Sequence, residues 1–296
     1  MINTQIMLIK RAIWYIVGLL LFYAPFALYQ KALFGLVNYN KPADIHSLCL
    51  RMPLLNLLLG KWSLIVPVVM ITLFLFFMFA IIFGPFFCGR LCFAGALPEY
   101  LSRLIPDRFK IDWVTGINPI PVRYGFLAGY LITPFLAGSI ACAFCNLSFM
   151  QRLIDGGFWG EFGVLSSTNI ITFFLWIILF GIFTKGGRGF CNFICPIGAV
   201  QSLVYSISSR LHFTYKLRFA KDKCISCGAC VKACSMGSLQ KEPDNSITYQ
   251  IHNCITCLQC QAACPKNALT YGTGKSGWKD GITLVNNEPS IQESIR

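Results

Sequence analysis

Apolar positions along this chain fall in long blocks rather than alternating with polar ones. Four stretches, 12–29, 62–87, 124–151 and 162–184, contain no Asp, Glu, Lys or Arg. Each reaches the roughly 18 residues that span a bilayer as a helix. A single such run also fits the buried core helix of a soluble protein, but four in succession do not. The blocks predict helices at about 12–29, 62–86, 124–141 and 170–183. The first follows Lys10 and Arg11, and no small-x-small cleavage site precedes Lys31, so it reads as an uncleaved helix. From about His212 the chain turns polar. The expected organisation is a transmembrane domain over 1–211, a soluble domain over 212–272 and a flexible tail over 273–296.

Composition agrees with this division. The chain is 55% hydrophobic and only 12% charged, whereas soluble domains are nearer a quarter charged. The net charge of +13 does not indicate nucleic acid, because no dense basic run occurs. Basic residues beside anionic lipid headgroups account for it more simply.

Two internal repeats organise twelve of the fifteen cysteines. In the apolar half, Cys88-Gly-Arg-Leu-Cys92-Phe-Ala-Gly95-Ala96 resembles Cys191-Asn-Phe-Ile-Cys195-Pro-Ile-Gly198-Ala199. Each copy closes a two-helix unit, which predicts a tandem duplication with both C-x3-C pairs on one side of the bilayer. A pair spaced i, i+4 shares one face of a helix. Cys88, Cys92, Cys191 and Cys195 therefore read either as buried structural thiols or as a further redox or metal site.

In the polar half, Cys224, Cys227, Cys230 and Cys234 recur thirty residues later as Cys254, Cys257, Cys260 and Cys264. This C-x2-C-x2-C-x3-C spacing is that of bacterial two-cluster ferredoxins, in which the fourth Cys ligates the other cluster. Three closely spaced thiolates wrap three corners of one cubane, and the fourth cannot reach the remaining corner. The expected ligand sets are Cys224, Cys227, Cys230 and Cys264 for one [4Fe–4S] cluster, and Cys254, Cys257, Cys260 and Cys234 for the other. Zinc ribbons use paired C-x2-C knuckles instead. Thiolates and iron need a reducing compartment, which predicts that the polar domain and, across four spans, the N-terminus face the cytoplasm.

Other chemistry is poorly supported. The three histidines, His46, His212 and His252, lie outside the spans, and C-x2-C-H is absent, so haem is not expected. Gly272-Thr-Gly274-Lys-Ser-Gly277 lacks the βαβ surroundings of a nicotinamide site. Cys49, Cys142 and Cys145 fall on the outer side and read as incidental or structural thiols.

Spans, duplicated C-x3-C segments, the run Cys191-Asn-Phe-Ile-Cys195-Pro-Ile-Gly-Ala and the terminal ferredoxin motif together resemble the NapH/MauN family, within the membrane polyferredoxins that include NosR and CcoG. The fold class expected is an α-helical membrane protein with four transmembrane helices in a two-helix tandem repeat, plus a C-terminal α+β ferredoxin domain. The resemblance implies a non-catalytic electron-transfer subunit in a bacterial or archaeal cytoplasmic membrane. It would connect quinone or quinol with another redox protein, a ferredoxin-like subunit or a cytochrome. The alternative is a redox or metal-handling assembly factor for a respiratory enzyme. Phe93, where the second copy has Pro196, departs from the Cys-Pro pattern.

Overall fold

The computed structural model describes residues 2–37, 67–136, 145–159 and 167–278. Its first part is a helical bundle assembled from two copies of one plan. In the first copy, α1 (Ile2–Phe22) is followed by a short α2 (Leu28–Val37) and by α3 (Pro67–Phe83). A π-helical turn, Phe87–Leu91, then leads into α4 (Phe93–Ser102). After a short helix α5 (Trp113–Gly116) the plan repeats. It runs through α6 (Pro119–Leu136), α7 (Asn146–Trp159) and α8 (Ser167–Phe173), which continues as a π-helix to Ile182. Then come α9 (Gly189–Phe193) and α10 (Pro196–Ser208).

Several expected boundaries move. Tyr23 to Ala27 interrupt the first apolar block, so it forms α1 and α2 rather than one helix over 12–29. The segment after Cys145, expected as loop, is α7. One described helix, Thr4–Phe22, is long and apolar enough to cross a membrane; Val69–Phe83 and Ile170–Ile182 are apolar but shorter. The second, third and fourth apolar blocks each extend into residues that are not described.

The bundle has an apolar core, yet it also carries apolar side chains outside and buried charges inside. Large apolar side chains face outward on α1 (Ile9, Ile13, Ile16), α3 (Phe74, Phe79), α6 (Ile132, Phe135) and α8 (Ile170, Phe174). Arg11, Glu99, Arg123, Arg188, Asn192 and Gln201 are buried. So many exposed large apolar side chains on the helices are not a normal soluble surface.

The polar half folds as two antiparallel ribbons. Strand β1 (Lys216–Phe219) pairs with β4 (Leu269–Gly272), with Leu217 opposite Tyr271. Strand β2 (Leu239–Lys241) pairs with β3 (Ile247–Tyr249). Two short helices, α11 (Ala229–Lys232) and α12 (Gln259–Ala263), follow the cysteine loops. Leu217, Leu239, Ile247 and Leu269 form the core. Packing continues past the expected edge at residue 272. Trp278 stacks on Phe219 at 4.5 Å and on Tyr249 at 4.9 Å, and its Nε1 donates to Leu217 O at 3.0 Å.

Candidate functional site

The thirty-residue cysteine repeat is also a repeat of backbone conformation. Ser226 and Thr256 have φ of +52° and +48°, Gly228 and Leu258 +72° and +61°, Gly237 and Asn267 +62° and +50°. Each pair is offset by thirty residues, so one loop geometry is written twice. Left-handed conformation is costly for a residue with a Cβ, and a bulky Leu there is an outlier. It survives at Leu258 because the loop must curl its amides inward. The N–H of Ser226 donates to Cys224 Sγ and that of Thr256 to Cys254 Sγ, both at 3.4 Å. The N–H of Ser238 donates to Cys234 Sγ and that of Ala268 to Cys264 Sγ, both at 3.2 Å. Such bonds to sulfur tune cluster potential.

The fold gathers these eight cysteines into two cages. Cys224, Cys227, Cys230 and Cys264 line one cavity, with Pro265, Phe219 and Ile247. Cys234, Cys254, Cys257 and Cys260 line the other, with Ile255, Met236 and Leu239. Each cavity thus takes three thiols from one loop and one from the other. The donor set, the apolar walls and the N–H···S bonds fit an iron–sulfur cubane. The cages differ in exposure: Cys227 is open to solvent, while Cys257 and Cys260 are buried. Burial raises the Cys230 thiol to about 11 and the Cys254 thiol to about 12. Free of metal, both are therefore protonated at neutral pH.

The inner cage sits on the bundle. A Cβ placed on Gly89 would stand 2.0 Å from Ile255 O, and one on Gly186 2.2 Å from Ser235 O. Asn192 Nδ2 donates to Met236 O at 2.8 Å, and Tyr271 O–H to Phe83 O at 2.6 Å. Tyr124 O–H lies 2.7 Å from His252 Nδ1.

Two buried arginines, one per copy of the bundle plan, fix this seat. Arg11 Nη1 and Nη2 donate to the Glu99 carboxylate at 2.9 and 3.0 Å, and Arg188 Nε donates to Glu99 Oε2 at 2.5 Å. Arg103 adds a third cation at 3.0 Å. Burial opposes the charge on Glu99, but Arg11 and Arg188 outweigh it and hold the carboxyl well below the usual range. Gln259 on α12 closes the cluster. With its oxygen toward Arg11 and Arg103, its nitrogen donates to Ala233 O at 3.0 Å. Arg123, the counterpart on α6, donates to Cys191 O at 2.6 Å, to Asn192 O at 3.0 Å and to Ser202 Oγ at 2.8 Å, and also to His252 O. Glu99 and Ser202 stand at the same offset after Cys92 and Cys195. The repeat therefore extends to the partners of its arginines. None of these buried polar residues carries a motif, and only the cysteine offset pointed toward them.

The C-x3-C pairs are not helix faces, as their spacing suggested. Cys88 lies in the π turn and Cys191 in α9, whereas Cys92 and Cys195 are extended N-cap residues of α4 and α10. The reason is local: each second cysteine takes extended backbone, which breaks the helix between members of a pair. All four belong to one apolar cluster, and Cys145 packs against it rather than lying apart. Cys49 and Cys142 fall outside the described residues. Among the described residues, no three His, Cys, Asp or Glu side chains stand close enough to hold a single metal ion.

Known proteins agree with the iron–sulfur chemistry. Residues 65–112 and 168–213 each match the family described as "4Fe-4S binding domain", and residues 223–268 match "4Fe-4S dicluster domain". YccM of Escherichia coli, named for a role in electron transport, is 25% identical over 225 residues, which is 74% of this chain and 60% of YccM. The methylamine utilization ferredoxin-type protein MauN of Methylorubrum extorquens is 27% identical over 164 residues, 53% of this chain and 50% of MauN. The ferredoxin-type protein NapH of Escherichia coli is 24% identical over 200 residues, 66% of this chain and 63% of NapH. The chain thus spans less than two thirds of each of these three relatives. No solved structure matches.

Proposed function

From its place as a [4Fe–4S] protein related to the NapH and MauN ferredoxin-type proteins, we propose that this chain is a membrane-seated electron carrier. It relays electrons between the quinone pool and a partner redox protein. The observation that carries the reading is the placement of the two cages: Cys227 meets solvent at one end, and Cys257 is buried against the bundle at the other. A partner docks at the exposed end, and the membrane lies at the other. The outward apolar belt of α1, α3, α6 and α8 supports four spans, and the reducing compartment that thiolates and iron need supports a polar domain on the cytoplasmic face.

In this reading Cys224, Cys227, Cys230 and Cys264 hold the outer cluster, and Cys254, Cys257, Cys260 and Cys234 the inner one. A bound cubane would supply a one-electron couple, so two clusters would match the two electrons of a quinol, whose two protons would leave to solvent. The protein's part is to seat the clusters in series, exclude water from the inner one and donate N–H bonds to its sulfurs.

The test is low-temperature EPR of anaerobically purified protein in detergent. Added menaquinol should produce the signal of reduced [4Fe–4S] clusters. Clusters that dithionite reduces but menaquinol never does would remove the quinone link.

A further inference from the structure

The mouth of the outer cage is rimmed by unpaired positive charge. Lys223 and Lys266 line its cavity beside Ile225, Cys227 and Pro265, and all five residues are exposed. Lys241 reaches the same rim from β2, since a Cβ on Gly228, the residue after Cys227, would meet its side chain at 3.9 Å. Lys221 and Lys232, both exposed, flank this cysteine loop in sequence. None of these five lysines pairs with a carboxylate among the described residues. Residues 212–278 hold eight Lys and Arg against three Asp and Glu, a balance of +5. Of the three acids, Asp222 lies between Lys221 and Lys223. Glu242 accepts from Thr248 Oγ1 at 3.0 Å, and Asp244 from the N–H and hydroxyl of Ser246 at 3.0 and 2.6 Å. Those two carboxylates are thus engaged within the β2–β3 hairpin.

The membrane does not explain these charges. The inner cage is the one seated on the bundle, through Ile255, Met236 and Tyr271. The outer cavity is lined by residues of the small domain alone. Headgroups beside the bundle give no reason for lysines on the rim of the exposed cage. Within that rim Ile225 is 58% exposed. An apolar side chain inside a charged border has the layout of a protein interface, a dry centre with a polar rim. Rim charge acts on the rate of encounter more than on affinity. That suits a short-lived electron-transfer contact, which buries little area.

We propose that the mouth of the outer cage is the docking surface for an acidic, soluble redox protein. Carboxylates of that protein meet Lys223, Lys241 and Lys266, and its apolar patch covers Ile225. The inference rests on the carrier function proposed above and names the chemistry of the partner. Docking there brings the partner's redox group to Cys227, the exposed thiol of the cage. One electron passes per encounter, lost by one protein and gained by the other, with no bond made or broken.

The test uses the full chain in neutral detergent, reduced by dithionite with the excess removed. Stopped-flow mixing follows its oxidation by ferric cytochrome c, a basic protein, and by the same cytochrome made acidic by succinylation of its lysines. The acidic form should react about ten-fold faster at about 10 mM ionic strength. Its advantage should vanish by about 1 M, as the Debye length shrinks from about 30 to about 3 Å. The variant combining Lys223→Glu and Lys266→Glu should reverse the preference with its iron content unchanged, and the wild-type rates decide alone if that variant loses iron. Lys10→Glu with Arg210→Glu makes the same charge change on exposed residues of the bundle and should keep the preference. A preference for the basic form, equal rates for the two forms, or equal effects of the two double variants overturns the proposal. So does an effect of the Lys223 and Lys266 changes that is confined to anionic nanodiscs, which would assign these lysines to lipid. Dithionite stands in for quinol, so the quinone link plays no part in the outcome. Clusters that reduce neither cytochrome end the carrier function itself, whereas reduction of both at one rate ends only the acidic partner.

Discussion

Gly89 has no room for a side chain, because Ile255 O occupies the place where its Cβ would be, 2.0 Å away. The turn that carries Cys88 is thereby pressed onto the loop that carries Cys257. Gly89→Ala should prise the two apart. Overpacking of this kind costs about 1–3 kcal/mol. Iron content should stay unchanged while the thermal unfolding midpoint falls and protease reaches the segment between the bundle and β1.

Glu99 neutralises two buried guanidinium groups, and removing it leaves Arg11 and Arg188 uncompensated. Glu99→Ala should cost about 3–5 kcal/mol, the range for breaking a buried pair from one side. Thermal unfolding in detergent measures it, and the variant combining Glu99→Ala with Arg11→Met should recover part of the loss. A change within about 0.5 kcal/mol, the range of ordinary surface substitutions, would contradict this role.

The same carboxylate sets a pH dependence. Its folded value lies below its unfolded one, so its contribution is complete above the unfolded carboxylate value of about 4.3. It declines as the pH falls below that and vanishes only at the much lower folded value. Unfolding free energy of the Glu99→Gln variant should therefore lose less of its value between pH 6 and pH 3, about neutral to acid, than that of the parent.

The crossed cages make a prediction about pairs of variants. Cys264→Ser should abolish the same EPR component as Cys227→Ser, although Cys254 is nearer in sequence. Cys234→Ser should match Cys257→Ser. The opposite pairing would mean that each loop closes its own cage.

Gly228 and Leu258 hold the same left-handed position in the two loops. A Cβ on Gly228 meets only the Lys241 side chain, at 3.9 Å. Gly228→Ala should therefore cost only the conformational penalty, about 1 kcal/mol, with both clusters retained. Gly237→Ala should cost more, because Val114 stands 2.9 Å from the new methyl. Chemical denaturation of the two variants separates the effects.

The ferredoxin motif was legible because cubane ligation imposes a fixed spacing, and its eight cysteines line two cavities, each with three thiols from one loop and one from the other. The duplication was legible too, since Cys88 to Gly95 and Cys191 to Gly198 keep one offset. What escaped was what three-dimensional closure decides. The i, i+4 spacing suggested a helix face, but each second cysteine is extended and starts a new helix. Arg11 looked like a flanking charge ahead of a span, yet it is 2% exposed because Glu99, eighty-eight residues away, receives it. Trp278 lay in a Gly- and Ser-rich stretch and still completes the small domain's aromatic stack. Long-range polar partners leave no periodicity in a sequence, so only the fold reveals them.

The uneven shielding of the cages decides how the protein ages in air. Dioxygen meets the outer loop first, because Cys227 stands in solvent, while the helices and the small domain together shelter Cys257 and Cys260. Oxidation follows accessibility, so bleaching should run in two stages, from the rim inward. Under the proposed function, a half-damaged population would keep its inner iron but lose the end at which a partner would exchange electrons.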